Sequence, residues 1–287
     1  MPDYALHLKQ LDPYLGVLPL ASVHMGTLRP FIEARQKQGR KTKSINLALG
    51  LVRHILNMAA SEWLDANNLT WLAAPPKIKL LKVTDAAEPY PLSWDEQARL
   101  FQQLPKHLGQ MALFKVNTGC RDQEVCSLQW AWEVPVPELD TTVFLIPGSK
   151  VKNGDERLVV LNRVAKSVID SVRGEDKDHV FVYRKRPIET INNTGWEEAR
   201  KRAGLRQERV HDLKHTFGRR LRAAGVSFED RQDLLGHRSG RITTHYSAAE
   251  LANLIEAANR VCEAGSRKTP ALVILKKQAP AAVAASA

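Results

Sequence analysis

His211-Asp-Leu-Lys214-His215-Thr-Phe217 opens a stretch of 36 residues that passes through Leu234-Leu235-Gly236-His237 and closes on Thr243-Thr-His245-Tyr246. Inside it Phe217, Leu221, Val226, Phe228, Leu234 and Leu235 recur at helical spacing, and Gly225 and Gly236 stand where helices are expected to stop. The pattern predicts packed helices. It also gathers two candidate proton-transfer groups (His211, His237), a cation (Lys214) and a phenol (Tyr246). His211 and Lys214, three apart, share a helix face. Taken alone the stretch fits either a helical core with packed histidines or a reaction site, and the rest of the chain must decide.

Working upstream, residues 197 to 222 hold nine Lys/Arg (Arg200, Lys201, Arg202, Arg206, Arg209, Lys214, Arg219, Arg220, Arg222) against four acids. This is the densest basic region, and it abuts His211. Helices are expected over Arg163 to Val172 and Ile191 to Ala203. Trp130, Trp132 and Val134, then Thr142 to Ile146, then Arg157 to Leu161 read as strands, with Asn153-Gly154 as a tight hairpin turn beside Lys152. Before them, Ser93-Trp-Asp-Glu96 has capping-box spacing and opens a helix that Pro105 ends. A second helix runs from about His107 to Asn117 and stops at Thr118-Gly119, and Arg121 opens the first turn of a short third.

Pro75-Pro76, Lys77, Lys79, Lys82, Pro89 and Pro91 read as an extended basic linker. Ile45, Leu49, Val52, Leu56, Ala59 and Trp63 form one face of an amphipathic helix preceded by a basic run that includes Lys41 and Lys43. The expected organisation is an N-terminal helical unit over 1–76, a linker over 77–90, a main domain over 91–264 and a tail over 265–287. The fold class is mainly α with a small antiparallel sheet.

The chain carries 42 Lys+Arg against 31 Asp+Glu in 287 residues, a net charge of +11. Such an excess favours a polyanionic partner, most often nucleic acid, through neutralised phosphates and released counterions. Cys120, Cys126 and Cys262 lack ligand-like spacing and read as free thiols in a reducing cytoplasm. No apolar run approaches the length of about 20 residues that spans a bilayer, so no membrane partner is expected.

Chemically, a tyrosine attacks phosphorus only if its proton, with an ordinary pKa near 10, is removed. The transition state adds charge on nonbridging oxygens, which guanidinium forks match, and the leaving hydroxyl needs a proton from a Lys or His. Arg121, Lys152, His211, Lys214, His237 and Tyr246 make up that inventory. Each also has a structural reading: Arg121 paired with Glu124 at the surface, Lys152 solvated, His211 a helix cap, His237 and Tyr246 core side chains.

The ordered set resembles the tyrosine recombinase family, the phage-integrase type in particular. Thr118-Gly-Cys-Arg121-Asp-Gln-Glu124 is similar to the family's first-arginine motif. Lys152-Asn-Gly-Asp-Glu-Arg157-Leu-Val-Val-Leu matches the hairpin with its catalytic lysine. His211-Asp-Leu-Lys214 looks like its histidine-x-x-arginine box, followed by Leu234-Leu-Gly-His237 and Thr244-His-Tyr246. Five motifs in register cover 93 to about 260; the likeness over 1–75, to the core-binding domain, rests on the long amphipathic helix.

The resemblance implies a two-domain C-shaped DNA clamp. In it Tyr246 attacks the scissile phosphate to give a 3′-phosphotyrosyl link, and Arg121 and His237 hold the phosphate. Lys152 protonates the leaving oxygen and His211 assists proton transfer at Tyr246. It implies no cofactor and no metal. The partners would be double-stranded DNA, further copies in a homo-tetramer on synapsed DNA, and accessory DNA-bending or directionality proteins, in a bacterial cytoplasm at the nucleoid. DNA contacts are expected from Lys41, Lys43, Lys77, Lys79, Lys82, Arg200, Lys201, Arg219 and Arg220. One departure stands out: the family's second arginine is Lys214 here, which keeps the charge and loses the fork. Losing one charge-assisted hydrogen bond costs about 1.5–3 kcal/mol, roughly tenfold to a hundredfold in rate, with Arg219 as a candidate substitute cation. The rival readings are a recombinase-fold DNA-binding protein weakened at Lys214, and a type IB topoisomerase-like strand relaxer. In the tail, Ala271-Leu-Val-Ile-Leu275 reads as an apolar strand exchanged between protomers.

Overall fold

The computed structural model describes residues 4–236 and 247–262. It divides between Glu88 and Pro89 into two compact units. In the first, α1 (Tyr4–Leu15), α2 (Met25–Lys37) and α3 (Thr42–Ser61) pack around Leu28, Phe31, Ile45, Leu49 and Leu56. The apolar face expected over Ser44 to Trp63 is the buried face of α3.

The stretch expected as a linker is extended but held. Ile78 joins the core of this unit. Asn46 of α3 donates to the carbonyl of Leu81 and accepts from its N–H, both at 2.8 Å. Asp85 accepts from the N–H of Thr42 at 2.8 Å, at the start of α3. Lys77, Lys79 and Lys82 face solvent on this strap.

The second unit is built on α5 (Lys106–Thr118), whose Leu108, Met111, Phe114 and Val116 are fully or almost fully buried. It packs against α7 (Arg163–Val172) and α9 (Asp212–Ala223). The helix α4 (Trp94–Gln103) opens with the expected capping box: Ser93 Oγ accepts from the N–H of Glu96, and Glu96 accepts from the N–H of Ser93. α6 (Asp122–Cys126) follows α5 after one turn, and α8 (Thr194–Arg202) packs on α4. A further apolar cluster joins Phe217 and Leu221 of α9 to Leu234 of α10 (Phe228–Leu235) and Leu254 and Ala258 of α11 (Ala248–Asn259).

A three-stranded antiparallel sheet runs β1 (Glu133–Val136), β2 (Thr141–Ile146), β3 (Arg157–Val159), in that spatial order. Three local expectations change. Trp130 to Trp132 form a 3-10 turn, and pairing begins only at Glu133. The β2–β3 connection is a ten-residue loop, 147–156, and not a tight turn at Asn153-Gly154, because Pro147 follows the last paired residue and has no N–H to extend the ladder. α8 begins at Thr194, since Asn193 Oδ1 accepts from the N–H of Trp196 and caps it there. A hairpin not anticipated from the sequence, β4 (Val182–Tyr183) with β5 (Arg186–Pro187), turns through Arg184 and Lys185 at φ 52° and 59°.

Candidate active site

The last turn of α5 sets the first arginine. Gly119 ends that helix at φ 65°, and a Cβ there would come within 2.8 Å of Phe217 and 2.9 Å of Leu235, so only glycine allows this turn. The chain then enters α6 with Arg121 just ahead of its first turn. Glu124, whose side chain is 1% exposed, accepts twice from Arg121: from the backbone N–H at 2.7 Å and from Nη1 at 2.7 Å. The ion pair expected at the surface exists, but its carboxylate is buried. Arg121 Nη2 donates to Asn153 Oδ1 at 3.4 Å, which brings the β2–β3 loop against the first arginine. Lys152, next to Asn153, is exposed.

Lys214, in the first turn of α9, is 5% exposed. Its Nζ donates to the carbonyl of Gly119 at 2.7 Å and to the carbonyl of Leu235. Two of the three ammonium donors are thereby engaged. Burial, and after it the charge of Arg157, push Lys214 down to about 7. Arg219, the candidate substitute cation, is exposed, and the arginines that act on the charge of Lys214 are Arg157 and Arg121.

His211 precedes the first turn of α9 and makes no side-chain cap bond, which removes the capping reading. Although the residue is exposed, burial of part of its ring is the main cause that pushes it down to about 4. His215, whose ring lies 4.9 Å away edge-on, and the cations Lys115 and Lys214 act in the same direction. At neutral pH it is an uncharged imidazole able to accept a proton. His237 and Tyr246 lie outside the described residues, as does the 265–287 tail.

Three buried ionisable side chains in the same unit were not singled out from the sequence. Lys115 is fully buried, donates to the carbonyl of Cys120 at 2.6 Å, and is pushed down to about 8 by burial. Glu208 is fully buried, and burial followed by the nearby Asp212 pushes it up to about 9. Arg157, 3% exposed, sits at the first residue of β3. The signal for Arg157 was its place in step with Val159, both buried, with Leu158 more open between them: a cation on the inward face of a strand.

Of the residues expected on DNA, Lys41, Lys43, Lys77, Lys79, Lys82, Lys201 and Arg219 are exposed. Arg220 is not. It is 4% exposed, with its guanidinium 3.5 Å from the centre of the Trp94 ring and Nη1 donating to Gln97 at 2.7 Å. Helical spacing puts it on the same face of α9 as the buried Leu213 and Phe217. Arg200 is largely engaged within the protein, paired with Glu197 and donating to the carbonyls of Arg206 and Glu208.

The chain is similar to several known proteins. Over 227 residues the chain is 26% identical to the integrase of Salmonella phage P22, covering 74% of this chain and 56% of that one, so it spans little more than half of that relative's length. It is 26% identical over 263 residues to the tyrosine recombinase XerC of Xanthomonas campestris pv. campestris, covering 85% and 76%. Among solved structures, a lambda integrase (75–356) dimer bound to a COC′ core site aligns with a TM-score of 0.65 at 18% identity over 85% of this chain and 89% of that one. XerH bound to a palindromic difH substrate aligns at 0.61 and 19% identity, over 87% and 77%. These two likenesses show the fold. The profile of the phage integrase family matches residues 92–252, a span that takes in all five motifs from Thr118 to Tyr246, and the chain belongs to that family, the tyrosine recombinases.

Proposed function

We propose that this protein is a site-specific recombinase that cleaves and rejoins double-stranded DNA through a 3′-phosphotyrosyl link on Tyr246. The observation that carries the reading is the convergence of three distant segments: Lys214 binds the carbonyl of Gly119, and Arg121, two residues on, binds Asn153 beside Lys152. Two cations for a phosphate and a neutral imidazole, with Lys152 next to Asn153 as the proton donor, support this reading.

In the proposed step Tyr246 Oη bonds to phosphorus while the bond to the 5′-oxygen breaks. The phenol proton passes toward His211, and Lys152 gives a proton to the departing 5′-hydroxyl. Arg121 steadies the phosphate through the edge of its guanidinium not taken by Glu124, Lys214 through its remaining N–H, and His237 through a ring N–H. Attack by a 5′-hydroxyl from a partner duplex reverses the step, so the bond energy is retained in the protein–DNA link and no nucleotide is consumed.

The relatives, an integrase and a Xer recombinase by name, support integration or excision of a mobile element over simple strand relaxation. A solved lambda integrase tetramer is bound to a Holliday junction, and we extend tetramer assembly on synapsed DNA to this chain. Lys41, Lys43, Lys77, Lys79, Lys82, Lys201 and Arg219 then serve as phosphate contacts. Exchange of the 265–287 tail between protomers, and accessory DNA-bending or directionality proteins, complete the proposal. The test is a nicked suicide DNA substrate carrying the recombination site. Wild type should trap a covalent complex and Tyr246→Phe none. No complex with wild type, or an undiminished one with Tyr246→Phe, overturns the reading.

A further inference from the structure

We propose that Arg157 is a positioning residue of this active site, a buried guanidinium that ties the carboxylate orienting Arg121 to the ends of α5 and α10, the two helix ends that hold Lys214. The inference rests on the recombinase reading and names a residue to which that reading gives no role.

The geometry is specific. Arg157 Nη2 donates to the carbonyl of Thr118 at 3.4 Å, at the end of α5, and to the carbonyl of Leu234 at 3.1 Å, at the end of α10. Its Nε lies 3.2 Å from Glu124 Oε2, the same oxygen that accepts the backbone N–H of Arg121. Side-chain exposures of 2% for Arg157 and 1% for Glu124 make this a desolvated pair. Breaking such a pair from one side strands a buried charge. Among the described residues neither Nε, whose tie to Glu124 is an ion pair without hydrogen-bond geometry, nor the remaining nitrogen, Nη1, has a hydrogen-bond partner, and Nη1 lies against Gly236. A Cβ at residue 236 would overlap Nη1 and Cζ, so the guanidinium occupies the room that glycine leaves beside the segment leading to His237. One side chain from β3 therefore reaches the residue before the Gly119 turn, the carboxylate that orients Arg121, and the end of α10, where Lys214 also binds.

Arg157 also weighs on the charge of Lys214. The other groups facing that ammonium are Glu124, Cys120 and Arg121, with His211 and His215 on its own helix. Removing the Arg157 charge makes Lys214 keep its proton to higher pH, a change that a purely structural role would not produce.

The experiment is single-turnover cleavage of the nicked substrate from pH 6 to 9, with DNA affinity measured beside it. It compares wild type, Arg157→Gln, Arg157→Lys, Gly236→Ala and the Arg157→Gln/Gly236→Ala double variant. Arg157→Gln should cleave on the order of 100-fold more slowly, as expected for catalytic groups shifted by about 1 Å, with DNA affinity within about twofold. Its alkaline limb should move to higher pH. Arg157→Lys, which keeps the charge, should also be slow but hold the wild-type limb, and it carries the test if the Gln variant does not fold. The double variant should lose less than the product of the two single losses, since alanine then meets no guanidinium. Wild-type rates in both Arg157 variants, or slow cleavage with no difference in limb between them, overturn the proposal while leaving the recombinase reading intact. A wild-type protein that traps no covalent complex overturns both.

Discussion

Lys214 holds its ammonium against two backbone carbonyls in a pocket where burial favours neutrality, and so its charge depends on pH near 7. In the folded protein its proton is lost as pH rises through about 7, against roughly 10.4 in the unfolded chain. Between those values the unfolded chain binds more protons, so the Lys214 contribution to stability rises with pH. In the proposed mechanism the hold of Lys214 on the phosphate weakens over the same interval. Cleavage by wild type is therefore expected to fall from pH 7 to 9, whereas Lys214→Arg, whose guanidinium stays charged, should hold its activity; a pH–rate profile of the two proteins checks this. Arg121, Lys152, His211 and Lys214 could be named as candidates from the sequence because each lies in a short motif. Arg157 was not, because its partners lie 39 and 77 residues away in the chain. Arg220 was misread because composition counts a cation wherever it points, and this one points at Trp94.

Helices announce their ends more clearly than strands do. Gly119, Gly225 and Gly236 all take positive φ where the sequence put helix stops, and the Ser93 capping box is formed. The β4–β5 hairpin gave no such signal, since Arg184 and Lys185 occupy left-handed positions that Asn or Gly usually fill. The 77–88 strap was likewise unreadable as a bound element, because its hold depends on Asn46 and Thr42, more than 30 residues away. Replacing Asn46 with alanine removes both bonds to Leu81 and is expected to cost about 1–3 kcal/mol. Urea denaturation should show that loss, and limited proteolysis should find new cuts between Lys77 and Glu88; an unchanged digestion pattern would mean that Ile78 and the Asp85–Thr42 bond hold the strap without Asn46.

For the molecule as a whole, the excess of 11 positive charges acts only where cations face solvent. Arg157, Lys214, Lys115 and Arg220 are turned inward, so total charge overstates what is available to phosphates. The strap lysines are turned outward. Changing Lys77, Lys79 and Lys82 together to glutamine should flatten the dependence of log affinity on log salt by about 0.9 for each phosphate no longer neutralised. Filter binding between 50 and 200 mM salt measures this, with cleavage at saturating DNA expected to stay near wild type. A slope equal to wild type would remove the strap from the DNA-binding surface.

The cradle of Lys214 has an electrostatic consequence. Gly119 and Leu235 present their carbonyls at the ends of two helices, α5 and α10. The aligned peptide dipoles of a helix leave partial negative charge at its C-terminus. Two such termini converge on one ammonium and act as a divided counter-charge fixed in the backbone. A carboxylate hydrogen-bonded to that amine would hold the cation as well, but it would repel an arriving phosphate. Here the amine is steadied by dipoles that carry no net charge, and its remaining N–H can turn to an anion without first giving up a salt bridge.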